Sequence, residues 1–212
     1  MGEPTLLRLK KAISSGDKQA ALSLADKYAK ESLAMHDLYR DWLTASLSKV
    51  AEKHGHDSLD EVMEAGVKAT WLPTVKVLSE KNLKHAIKMY VGGLRGHHQP
   101  LDITEDEEKI TIKLSPCGSG GRLVQQGMYD HDEFSYVDSK SSLTWNREQL
   151  PVYCTHDPVM ERVDIDAHGF PFVVIQPAEK IGKQPCFMHI YKDPEKIPAA
   201  YFNRINRTKP SQ

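Results

Sequence analysis

The 212 residues can bury a sizeable core, and 28 Lys+Arg against 29 Asp+Glu leave no charge excess of the kind that marks a nucleic-acid or membrane surface. No run approaches the roughly 18 apolar residues a membrane helix needs, and the start MGEPTLLRLKK lacks the apolar core of a signal peptide. Three cysteines, at 117, 154 and 186, are too few and too scattered for a disulfide framework, so the expectation is a cytoplasmic protein with reduced thiols. Its expected partner is a small molecule or another copy of the chain, with no nucleic acid and no membrane.

Residues 1 to about 98 read as helix. Leu6, Leu7, Leu9 and Ile13 open it, and Ala21, Leu22, Leu24, Ala25 and Tyr28 recur at helical spacing. Leu38, Trp42, Leu43, Leu47 and Val50 then suggest one broad apolar face, with Gly55 as terminator. Ser58 and Glu61 have capping-box spacing ahead of Val62, Met63, Val67 and Trp71, Pro73 predicts a kink, and a last helix runs from Asn82 to Leu94.

After RGHHQP the period changes. Ile110, Ile112 and Leu114 alternate with Thr111, Lys113 and Ser115, the pattern of a half-buried strand, and the acidic run Glu105–Glu108 before them reads as a solvated turn. Further strands are expected near 152–155, 161–166, 172–175 and 186–191. The polar stretch 129–147 reads as a loop, and Pro198 introduces a short helix around Ala199–Arg204. Helices followed by strands, without βαβ alternation, predict an α+β fold: a helical part, 1–98, packed on an antiparallel sheet part, 99–212, within one folded unit.

The chemistry concentrates in three places. In PCGSGGR, Cys117 follows a strand, Gly118, Ser119, Gly120 and Gly121 could turn successive N–H groups toward one point, and Arg122 could offer a fork to a carboxylate. A plain flexible turn containing a thiol is the alternative. In YCTHDP, a strand would place Cys154 and His156 on one face about 7 Å apart, as zinc ligands or as the parts of a thiol enzyme, with Asp157 beside them. Cys186 opens the last strand and shares a face with Met188; core packing is the favoured reading for it, with a place in a shared site as the alternative. If Cys117, Cys154, Cys186 and His156 met, they would complete a tetrahedral site for zinc or another transition metal. No nucleotide cofactor is evident. His97 and His98, which end the helical part, and His168, before Gly169, are secondary candidates, His98 and His168 ahead of His97.

The order of a helical first half, DITEDEEKITIKLSPCGSGGRL, YCTHDP and GKQPCFMHIYKD resembles the group of L-2-amino-thiazoline-4-carboxylic acid hydrolase-like proteins, across roughly residues 30 to 192. The resemblance implies hydrolytic opening of a small heterocycle or a related C–N or C–S bond, with Cys117, Cys154 and Cys186 at the positions of the group's thiols and Asp157 where related sequences carry a further cysteine. The expected function is therefore a small-molecule hydrolase acting on a carboxylated or heterocyclic substrate. Cys117, His156 and Asp157 would be catalytic, and the 118–122 turn would hold the substrate. A non-catalytic binding module, its pocket lined by Trp42, Trp71, Tyr90 and Trp145, and a protein with a structural zinc are the alternatives.

Overall fold

A computed structural model describes residues 2–210. The chain divides after Trp42 into two compact units. The division thus falls inside the helical part, and residues 43–95 share a core with the sheet.

The first unit contains α1, Thr5–Ser14, and the opening stretch of α2, Lys18–Ser79. Gly16, at φ 74°, makes the turn between them, and the Asp17 carboxylate accepts the Ala20 N–H at 2.9 Å to cap the second helix. The Thr5 hydroxyl donates to Glu31 at 3.0 Å and ties the two together. Leu38 and Trp42 are exposed here, and so is Leu43 just beyond, so the broad face read from the sequence becomes buried only from Leu47 onward.

In the second unit α2 is interrupted at Gly55, whose φ of 81° only glycine adopts readily, as the sequence suggested. The helix then resumes and carries Pro73 without ending before Ser79. Leu59, Met63, Val67, Trp71, Val75 and Leu78 recur at three- and four-residue spacing, and all are buried. Helix α3, Leu83–Arg95, is capped by Asn82, whose side chain accepts the His85 N–H, and buries Ala86, Tyr90, Val91 and Leu94.

These helices pack on a four-stranded antiparallel sheet of order β1–β2–β6–β5. Its strands are β1 (Leu101–Glu105), β2 (Lys109–Leu114), β5 (Val174–Gln176) and β6 (Cys186–Tyr191). The register sets Ile110 opposite Ile190, Ile112 opposite Met188 and Leu114 opposite Cys186, so the alternation in β2 and that in β6 make a single apolar surface. A smaller two-stranded sheet joins β3 (Tyr136–Val137) to β4 (Leu150–Pro151). The fold is α+β, as the chain order predicted, and no described helix is long and apolar enough to cross a membrane.

Two expected strands are instead helical. Residues Val152–Thr155 form a 3-10 turn that runs into helix α5, His156–His168, which ends at Gly169 with φ 84°. The sequence VDIDAH alternates like a strand, but the helix buries Val159 and Val163 and also Glu161, Arg162 and Asp164. A helix buried on nearly every side loses the polar stripe by which helical period is recognised. Arg162 is paired with Asp60 and Glu64 of α2, and Asp164 accepts the Phe172 N–H at 3.1 Å. In the 129–147 stretch Trp145 is buried, its indole N–H donating to Glu161 at 2.9 Å. Pro198 does introduce a short helix, α6, Ala199–Asn203.

Candidate functional site

Strand β2 ends at Leu114, and the chain passes through a cis Ser115–Pro116 bond to Cys117 before entering α4, Gly120–Gln125. The backbone N–H groups of Ser119, Gly120 and Gly121 bear on the Cys117 sulfur. Burial still pushes the thiol above its ordinary value, opposed by those N–H groups and reinforced by the Asp157 charge.

The glycines serve close approach, since none of Gly118, Gly120 and Gly121 has positive φ. A Cβ on Gly118 would stand 2.2 Å from the His97 carbonyl oxygen, and one on Gly120 would stand 2.4 Å from the Cys154 sulfur. The Gly118 N–H also donates to the Gln99 side-chain carbonyl. The thiol loop is thus pinned to the end of α3 on one side, and Cys154 fills the space Gly120 leaves on the other.

Cys154 and His156 do not share a strand face, because neighbours two apart in helical backbone point well away from each other. They nevertheless border the same cavity, one of about 740 Å³ whose wall includes Cys117, Cys154, Cys186, His156 and Asp157. His156 has both ring nitrogens engaged, Nδ1 with the Tyr153 carbonyl at 2.6 Å and Nε2 with Asp157 Oδ1 at 3.1 Å. Burial alone would lower its pKa, but the Asp157 charge and hydrogen bond, with the Tyr153 carbonyl, raise it to about 9. His156 is therefore an imidazolium at neutral pH, ion-paired to Asp157.

Asp157 reaches further. After burial, its charge contributes to raising the thiols of Cys117, Cys154 and Cys186 and the phenols of Tyr90 and Tyr153. Cys186, which accepts the Ala178 N–H at 3.3 Å, is pushed up to about 11. Asp157→Asn should lower the His156 pKa below its ordinary value, since the raising charge goes and burial remains. An NMR titration of the His156 ring protons checks this, with a midpoint still near 9 as the contrary result.

Ser119 is buried, its hydroxyl 2.7 Å from His97 Nδ1 and hydrogen-bonded to the Tyr153 phenol. His97 and Tyr153 also line the cavity. The sequence ranked His98 and His168 above His97. Neither lines the cavity, and His168 closes α5 ahead of Gly169. Nothing local marks His97, because it joins the site by meeting a loop 22 residues away. Trp71 and Tyr90 line the cavity as the binding-module alternative expected, whereas Trp145 bonds to Glu161 and Trp42 is exposed in the other unit.

Two expected parts fall elsewhere. Arg122 is not among the lining residues, so the fork for a substrate carboxylate is not part of this wall. Among the described residues no group of three or more His, Cys, Asp or Glu side chains is arranged to hold a metal ion, so Cys117, Cys154, Cys186 and His156 share a cavity without forming a ligand set. Comparisons with protein-family models, with curated proteins and with solved structures find no match to the chain.

Proposed function

We propose that the protein is a small-molecule hydrolase in which Cys117 attacks an electrophilic carbon of a C–N or C–S bond. The observation that carries this reading is the Cys117 thiol sharing one cavity wall with the His156–Asp157 pair, where the backbone N–H groups of Ser119, Gly120 and Gly121 favour its thiolate. N–H groups around a thiol stabilise the thiolate as it forms and favour a nucleophile at that atom.

The proton inventory closes with these residues. As sulfur bonds to carbon, the thiol proton passes to the Asp157 carboxylate. The His156 imidazolium, hydrogen-bonded to Asp157, gives its proton to the departing nitrogen or sulfur. Water then cleaves the acyl–sulfur bond, returning one proton to His156, and the departing Cys117 sulfur recovers the other from Asp157. Cys154 and Cys186 shape the cavity in this scheme.

The test is a screen of amides, nitriles and small nitrogen–sulfur heterocycles against the full chain and its Cys117→Ala variant. Turnover in the parent that falls at least 1000-fold in the variant, about 4 kcal/mol of transition-state stabilisation, is expected. Equal turnover in both would remove Cys117 from the chemistry.

One observation favours a second reading, a non-catalytic binding module: all three thiols are held toward the protonated form by burial. Tight binding without turnover, unchanged in Cys117→Ala, would select it.

A further inference from the structure

We infer that the cavity takes an uncharged, largely apolar molecule bearing one hydrogen-bonding electrophilic group, such as an aromatic amide or nitrile, and rejects carboxylates. The inference rests on the hydrolase reading for the role of the electrophile, and on the composition of the wall for the rest. Among the described residues no lysine or arginine lines the cavity. His156 is already neutralised by Asp157 and has both ring nitrogens occupied, so it has no free donor for a ligand anion.

Thr74, His97, Gln99 and Tyr153 add polar groups at the wall, and most of the rest is hydrocarbon and aromatic. Trp71, Leu78, Tyr90, Leu94, Ile175 and Met188 come from α2, α3 and the sheet, and their surface suits a flat or branched apolar body. A carboxylate entering here would lose its water and find the His156 imidazolium already paired with Asp157, whereas an amide or nitrile has far less hydration to lose. An ammonium would meet Asp157 only by competing with His156. A cavity of about 740 Å³ has room for a two-ring molecule.

The wall also supplies a means of filling it. Gly93 of α3 lines the cavity, and a Cβ built on it meets nothing within 4 Å; its neighbour Gly92 is equally open but does not line the cavity. Both lie within the helix, where leucine is the better helix former, so Gly93→Leu and Gly92→Leu should both fold.

The experiment is calorimetric titration of the full chain, the two variants and Cys117→Ala with three matched probes: naphthamide, naphthoate and naphthylmethylammonium. Expected is binding of naphthamide to the parent, to Gly92→Leu and to Cys117→Ala, at least tenfold weaker binding of both ions, and at least tenfold weaker naphthamide binding to Gly93→Leu. Binding of either ion as tight as the amide, no binding of the amide to the parent, or full binding to Gly93→Leu would each overturn the inference. Cys117→Ala separates the two readings: loss of its turnover tests the hydrolase, while its retained amide binding tests the ligand class alone.

Discussion

Arg204→Ala is expected to lower the unfolding free energy by about 3–5 kcal/mol at pH 8, the cost of leaving one member of a buried ion pair alone. The Arg204 guanidinium reaches Glu161 Oε1 at 2.5 Å and the Ile175 carbonyl at 2.6 Å, and lies over the rings of Trp145 and Tyr201 at 5.1 and 4.6 Å. Glu161 is 2 % exposed. Burial pushes its carboxyl up to about 7, opposed by Arg204 and by the N–H groups of Ile175 and Trp145.

The pH dependence follows in sign. The folded value lies above the ordinary 4.5, so Glu161's contribution is fully present below 4.5 and is lost as pH rises through about 7. Without Arg204 the folded value climbs further and the loss extends to higher pH. The variant's deficit in urea unfolding should therefore be smaller at pH 5 than at pH 8. A deficit equal at both would mean that Glu161 is not the group left exposed to burial. Adding Glu161→Leu removes the stranded charge and should recover part of the loss. It leaves the Ile175 N–H and Trp145 indole unsatisfied, at about 1–3 kcal/mol each.

Gly118→Ala is the second large effect, expected to cost about 1–3 kcal/mol of stability and to abolish cavity binding. The added Cβ would stand 2.2 Å from the His97 carbonyl oxygen and 2.9 Å from the Gln99 Cβ. The first is backbone and cannot swing aside, so the loop must move, taking Cys117 and the N–H groups of Ser119–Gly121 with it. Gly66→Ala, inside α2 with nothing near its Cβ, should by contrast stabilise by up to about 1 kcal/mol. Urea midpoints for the pair, with naphthamide titration of each, check both statements. A Gly118→Ala variant that binds as the parent does would show that the loop is not rigidly placed.

The sheet was legible where one face is buried and the other is not. Ile110, Ile112 and Leu114 declare β2 because Thr111 and Lys113 between them face away, and Cys186–Tyr191 was read to its correct ends. Helix α5 was not legible, because Glu161, Arg162 and Asp164 are buried through partners as distant as Asp60 and Arg204, which no local window contains. The glycines of the thiol loop were expected to allow positive φ, but they answer to the His97 carbonyl and the Cys154 sulfur, which no local window contains. Cys154 and His156 reached one cavity by a helical turn where a strand was expected. Arg122 sat close in sequence to the thiol yet outside the cavity wall, and His97 sat far in sequence yet within it.

The most direct test of Cys117 as the reacting atom is peptide mapping by mass spectrometry after incubation of the full chain with an aromatic nitrile of two-ring size. Attack on a nitrile carbon forms a thioimidate, the sulfur bonding to carbon and the thiol proton passing to nitrogen, so the adduct marks the nucleophile without an identified substrate. An adduct confined to Cys117, and absent in Gly93→Leu, is expected. An adduct on Cys154 or Cys186, or none while the nitrile still binds, would contradict Cys117 as the centre of this site.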